Sequence, residues 1–365
     1  MSQLDLDLKL AMERTLWAAG YYTRSNVKLA SATRGSTKRN RTSADLTDVD
    51  VLGIRVLDDL EPRKVAVDCK SGAAVSPVGR TFWLKGVMEH VGADRGYVVL
   101  ARSIPDHQRS AAANLGITLV DRAALSGLQA RYPTLPDSLR VGDIESHRYL
   151  EDNIIKLPAH FDSLLEFRDT AFWYYGDSRA ISQAIQRTAK VRDKADLRQK
   201  FQRALLLDVA GLFSLSILSL AFDVAKLAAS DTLDSVRSLF FGGPEGIARR
   251  EQILRTVKSL ISHVAQQARL PFDDVGEFQL DPPFLPAVAE AVARVIARPI
   301  EASEAPRYLK LRLMHTVLYG EADLPAVVGS SYSPIADKLA GDLALAYLKS
   351  SGFDLAAAKE LGAVD

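Results

Sequence analysis

The sequence predicts an α/β domain built on a mixed sheet, flanked by helices and followed by an all-α domain. Three observations carry that reading. Up to about residue 130, helix-like and strand-like patterns alternate. Beyond about residue 145 the strand signals fade and long stretches at helical period take over. Between the two, Pro133, Pro136 and Gly142 punctuate the chain. The expected organisation is an α/β domain over 1–130, a linker over 131–150 and a helical domain over 151–365.

Leu6 to Ala19 alternates apolar and charged residues at helical spacing, and Gly20 stops it, so a glycine-capped amphipathic helix is expected. Asn26 to Ala32 reads as a short strand. Val49 to Leu57 and Lys64 to Lys70 are rich in branched apolar residues and read as strands. The intervening DDLEPR makes them a hairpin. A helix over Thr81 to Gly92 and a buried strand over Gly96 to Ala101 come next. They are followed by a helix over Pro105 to Leu115 and a strand over Ile117 to Asp121. About six helices follow, near 160–190, 194–230, 246–268, 284–297, 305–320 and 334–361.

Composition narrows the function classes. The chain has 365 residues, and 46 Lys and Arg nearly cancel 45 Asp and Glu, which excludes a histone-like polycation. The small excess of positive charge lies in residues 1–145, which carry net +3. One cysteine excludes a disulfide framework or a cysteine-rich zinc finger. The acidic start lacks the basic and apolar regions of a signal peptide. Val209 to Phe222 is free of charge but shorter than the roughly 20 residues a bilayer crossing needs, so it is expected to be a buried helix. A cytoplasmic protein with no membrane partner is the expectation.

Chemistry concentrates at the hairpin. Side chains alternate along a strand, so Asp68 and Lys70 share a face while Cys69 points oppositely as an apolar filler. If the hairpin turns near Leu60 and Glu61, Asp50 lies opposite about position 71, beside Asp68 and Lys70. Two carboxylates converging with a lysine suit a hard divalent cation held by oxygen. A second acid-any-lysine triplet, Asp7-Leu8-Lys9, is set aside because it lies on a helix with no companion acid on a strand.

The order Glu13 on a first helix, Asp50 on a second strand and Asp68-Cys69-Lys70 on a third, followed by helix and strand, resembles the PD-(D/E)XK nuclease superfamily. Its Mrr-type restriction endonuclease and Holliday-junction resolvase branch is the most similar. ERTLWAAGYY, DVDVLG, VAVDCKSG, GADRGYVVLA and GITLVDRAALSGL carry the likeness over the first third of the chain. Val49 replaces the proline of the motif, and Asp68 stands where the branch more often has glutamate or glutamine.

The resemblance implies a Mg²⁺-dependent deoxyribonuclease, with Mn²⁺ able to substitute. Asp50, Asp68 and the backbone carbonyl of Cys69 would be ligands. Lys70 would position or help deprotonate the attacking water and offset charge on the phosphate. Glu13 would orient Lys70 or bind a second metal. Defence against foreign DNA or repair, and a homodimer, are what such a family suggests. The alternatives are an RNA-directed nuclease and a catalytically silent nucleic-acid-binding or scaffolding module.

Arg34, Lys38, Arg39 and Arg41 lie in an acid-free stretch over 24–44, just before the strand of Asp50, and are expected to contact DNA phosphates. Lys85 and Glu89, four apart on a helix, read as a surface pair. Trp173, Tyr174 and Tyr175 read as core, and the basic run from Arg187 to Arg203 as a solvated helix face. The six histidines show no metal-ligand spacing. The helical half is expected to serve a protein partner, a dimer or DNA recognition.

Overall fold

The computed structural model describes residues 3–30, 45–72, 74–132, 141, 143–174, 176–227, 231–268, 281–320 and 323–361. A five-stranded mixed sheet lies in the N-terminal part, and the C-terminal part is mostly helical. Helix α1 (Gln3–Ala18) precedes β1 (Tyr22–Ala30), β2 (Asp45–Val56) and β3 (Pro62–Lys70). After these come α2 (Pro77–Val91), β4 (Arg95–Leu100), α3 (Asp106–Ala113), β5 (Ile117–Val120) and α4 (Arg122–Gln129). The strand order is β1-β2-β3-β4-β5. The first three strands are antiparallel, and β4 and β5 join in parallel. Helices α2 and α3 make the crossovers that parallel pairing demands.

Local chemistry explains the ends. Gly20, at φ 90°, stops α1 as expected, with Tyr21 N–H donating to the Leu16 carbonyl. Helix α2 starts on Ser76, whose Oγ accepts from Gly79 N–H, with Pro77 in its first turn. It stops at Gly92 in the left-handed region. The β2–β3 hairpin pairs Val56 with Pro62 and Val51 with Val67. Its loop is closed by Leu57 N–H donating to the Glu61 carbonyl, with Leu60 at φ 69°. A left-handed leucine is costly, and burial of its side chain in the core offsets that cost. Continued by one residue, this register sets Asp50 across from Asp68. The sequence placed it across from about 71, because the turn centres on Asp59, not between Leu60 and Glu61.

The sheet is packed on both faces. Leu8, Met12 and Leu16 of α1 and Leu125 of α4 cover Val51, Val65, Val67, Cys69, Val99 and Val120. Cys69 is buried there as the filler expected. The other face joins Leu84 and Met88 of α2 to an apolar cluster running on into the helical half.

That half comprises α5 (Ile144–Ile154), α6 (Asp162–Asp169), α7 (Asp177–Val191), α8 (Lys200–Leu227), α9 (Thr232–Phe241) and α10 (Gly243–Ala268). These are followed by α11 (Leu285–Ala297), α12 (Pro299–Arg312), α13 (Leu324–Val328), α14 (Pro334–Ser350) and α15 (Leu355–Glu360). Among the described residues the helices are more numerous than the expected six, and most are shorter. Residues 160–190, for example, divide into α6, the short 3-10 turn Ala171–Tyr174 and α7. Helix α8 carries the charge-free stretch 209–222. It is long and apolar enough to cross a membrane, but 89% of an apolar 18-residue stretch of it is buried inside the protein. Phe172 and Trp173 are buried, as expected for Trp173, while the side chains of Tyr174 and Tyr175 lie outside the described set.

Charged contacts join the two halves. Arg24 of β1 donates to Asp208 of α8 at 2.6 Å and to Asp169 at 2.9 Å, and Tyr22 Oη donates to Asp208. Arg168, fully buried, donates to Asp169 and Glu151. Arg24, which opens the acid-free stretch 24–44, is therefore committed to ion pairs within the fold. Arg307 of α12 donates to the Trp17 carbonyl, and its guanidinium lies 4.6 Å from the Trp17 ring.

Candidate active site

The site lies midway along β2 and at the end of β3, beneath the first turns of α1 and α2. Asp50 and Asp68 converge there, and Lys70 joins them. Lys70 Nζ lies 3.1 Å from Asp50 Oδ2 and 3.4 Å from Asp68 Oδ1. The three strand residues singled out from the sequence are thus brought together. The parity argument holds: Cys69 faces α1, and Asp68 turns to α2. Cys69 N–H, two residues beyond the Val51–Val67 pair, donates to Asp50 Oδ2 at 2.7 Å. A residue's N–H and C=O leave a strand on the same side, so the Cys69 carbonyl also faces β2.

Three residues the sequence did not assign complete the group. Lys9 of α1, only 5% exposed, places Nζ 2.6 Å from Asp50 Oδ1, outside hydrogen-bond geometry. It also donates to Asn26 Oδ1 at 2.8 Å. Asn26 sits between the pairs Ser25–Val51 and Val27–Val49, across from Asp50, at φ 56°. Asparagine tolerates this left-handed backbone, and the interruption turns its amide toward Lys9. The triplet Asp7-Leu8-Lys9 was set aside for want of an acid on a strand; the structure supplies one, Asp50. The third residue is Arg80 of α2, whose Nε and Nη2 lie 2.6 and 2.5 Å from the two oxygens of Asp68, a bidentate fork.

Both carboxylates are 1% exposed, whereas Lys70 and Arg80 are 34% and 25% exposed and form the solvent side of the group. Burial pulls the Lys70 pKa down, but Asp50 and Asp68 outweigh it and leave it above the ordinary lysine value. Lys70 is therefore an ammonium in this arrangement and not a ready base.

Glu13 lies elsewhere. It accepts from Thr23 Oγ1 at 3.1 Å, Ser25 Oγ at 2.6 Å and Lys310 Nζ at 3.0 Å, and makes no contact with Lys70, Asp50 or Asp68 among the described residues. The expectation that it orients Lys70 is not met. Burial raises its pKa, and Lys310, Ser25 and His147 more than reverse this, bringing it to about 2. Asp5, two turns earlier on α1, lies nearer the site and accepts from Ser71 N–H at 2.7 Å.

Of the missed residues, Arg80 left a signal. Arg80 falls four before Leu84 and seven before Val87, on the apolar stripe of α2, where a charge is out of place unless paired. Lys9 is hidden because α1 is buried on most of its circumference, so no polar face marks it. Arg34, Lys38, Arg39 and Arg41 lie outside the described residues. Lys85 and Glu89 form their surface pair at 2.8 Å.

Among the described residues no three His, Cys, Asp or Glu side chains converge as a metal cluster. The donors at hand still fit magnesium in kind, since it commonly takes one or two carboxylates and keeps its remaining waters. Asp50 Oδ1 is buried outside any hydrogen-bond geometry, with the Lys9 ammonium 2.6 Å away. Comparison with family models, curated proteins and solved structures finds no match.

Proposed function

We propose that residues 1–130 form a metal-dependent nuclease module of the PD-(D/E)XK type that hydrolyses phosphodiester bonds in DNA. The observation that carries this is the convergence of Asp50 and Asp68 from adjoining strands on the Lys70 ammonium. The helix, three antiparallel strands, helix and parallel strand that frame it support the same reading. Asp50, Asp68 and the Cys69 carbonyl would hold Mg²⁺ or Mn²⁺. When bound, the ion would supply Lewis-acid polarisation of the phosphate.

The chain's own residues do the rest. Lys70, at the solvent side, meets the negative charge that grows on the phosphate. Lys9 holds the inner oxygen of Asp50 and fixes that carboxylate against β3. Arg34, Lys38, Arg39 and Arg41 are proposed phosphate contacts. Glu13 is left out of the catalytic set because its oxygens are taken up by Thr23, Ser25 and Lys310.

One observation favours a second reading, a silent nucleic-acid-binding module: the Arg80 fork occupies both oxygens of Asp68. Incubating the full chain with linear, supercoiled and branched DNA, and with RNA, in Mg²⁺ or Mn²⁺ separates the two. Cleavage abolished by EDTA and by Lys70→Ala is the expected outcome. Tight DNA binding without cleavage, unchanged in Asp50→Asn, would establish the silent module instead.

A further inference from the structure

We propose that Arg80 is a displaceable internal counter-ion for Asp68, which occupies the carboxylate a divalent cation needs and so sets how tightly the site takes metal. The inference rests on the reading of Asp50 and Asp68 as metal ligands and concerns the regulation of that same site.

Three cations, Lys9, Lys70 and Arg80, face two carboxylates, so the charge of Asp50 and Asp68 is already more than offset by side chains alone. An incoming divalent ion adds two positive charges to a group with no negative charge in excess, so one resident cation must leave. Lys9 is not free to do so, being buried and tied to Asn26. Lys70 touches each carboxylate with a single ammonium and can slide without uncovering either. Arg80 is the one that blocks ligation, because its fork takes both oxygens of Asp68 at once.

It is also placed to move. A quarter of its side chain is exposed, while its backbone is fixed in the capped first turns of α2. Its guanidinium already lies 3.9 Å from the centroid of the Trp83 ring, an aromatic face beside which a released arginine is stabilised. From there it can meet a phosphate, whose charge restores the balance the metal disturbs. Metal and phosphodiester are therefore expected to bind cooperatively, and the metal alone weakly.

Titration calorimetry of Mn²⁺ into the full chain tests this. Arg80→Met keeps the aliphatic stem against Trp83 and removes the charge. It should bind Mn²⁺ roughly tenfold more tightly than wild type, the scale of one charge-assisted pair. Arg80→Lys, which keeps the charge without the fork, should fall between, and Asp68→Asn should lose binding. Circular dichroism melts establish that each variant is folded. In parallel, Mg²⁺ titration of wild type should change tryptophan emission as Arg80 shifts at Trp83, a change absent from Trp83→Phe. If Arg80→Met and wild type bind equally while Asp68→Asn does not bind, the metal site stands and the counter-ion role falls. Binding of Mn²⁺ by neither wild type nor Arg80→Met removes both, and binding by wild type with no change at Trp83 overturns the displacement.

Discussion

Replacing Lys310 with methionine asks whether Glu13 is a clamp between the two halves of the chain. Lys310 Nζ contacts Glu13 at 3.0 Å and the Thr23 carbonyl at 2.6 Å, tying α12 to α1 and β1 at once. Glu13 is 5% exposed and its pKa is held at about 2 against an ordinary 4.5. At about 1.4 kcal/mol per unit, the ionised, partnered glutamate contributes on the order of 3 kcal/mol to stability. Because the folded value is depressed, this contribution is present above pH 4.5 and lost as pH falls toward 2, with about 2 kcal/mol gone by pH 3.

Urea denaturation at pH 7 should show Lys310→Met destabilised by about 3 kcal/mol, since it leaves a buried carboxylate without its cation. Glu13→Gln in that background should recover part of the loss. Glu13→Gln alone should flatten the stability profile between pH 5 and 3 relative to wild type. A Lys310→Met cost under about 1 kcal/mol, or an unchanged pH slope in Glu13→Gln, refutes the clamp.

The other junctions yield companion expectations. Arg24→Met removes the cation shared by Asp208 and Asp169 and should cost about 3 kcal/mol in the same denaturation assay. A loss within experimental error would show that Arg168, 3.8 Å from Asp208, suffices alone. Lys9→Met leaves Asp50 with Lys70 and the Cys69 N–H only, and should destabilise by about 2–4 kcal/mol while weakening the proposed DNA cleavage. Full stability in that variant would mean Asp50 needs no inner counter-ion.

The strand residues of the site were legible in the sequence because two rules suffice there. Alternation puts Asp68 and Lys70 on one face, and a short hairpin brings Asp50 alongside. Even the three-residue error in register left Asp50 near the end of β3, where the site forms. Contributions from helices were not legible. Which turn of α1 meets the site depends on where the helix sits along the strands, and periodicity cannot fix that. Glu13 was accordingly chosen where Lys9 and Asp5 make the contacts. Arg80 required knowing that the apolar stripe of α2 continues past the sheet into the site. The division of the second half into many short helices depended on breaks at residues such as Thr170 and Gly176, which composition alone marks weakly.

The spacing along α1 links these points physically. Asp5, Lys9 and Glu13 follow one another by four residues and so form one stripe, each step about 6 Å along the axis. At one end Asp5 holds the Ser71 N–H just past Lys70, in the middle Lys9 holds Asp50, and at the other end Glu13 is held by Lys310 of the helical half. A single rigid helix thus sets the height of two site contacts, and its far end is fixed by a residue some three hundred positions later in the chain. The helical half in this arrangement is a brace for the wall of the site. A change at Lys310 should accordingly alter Mn²⁺ affinity as well as stability, whereas a brace confined to folding would alter stability alone.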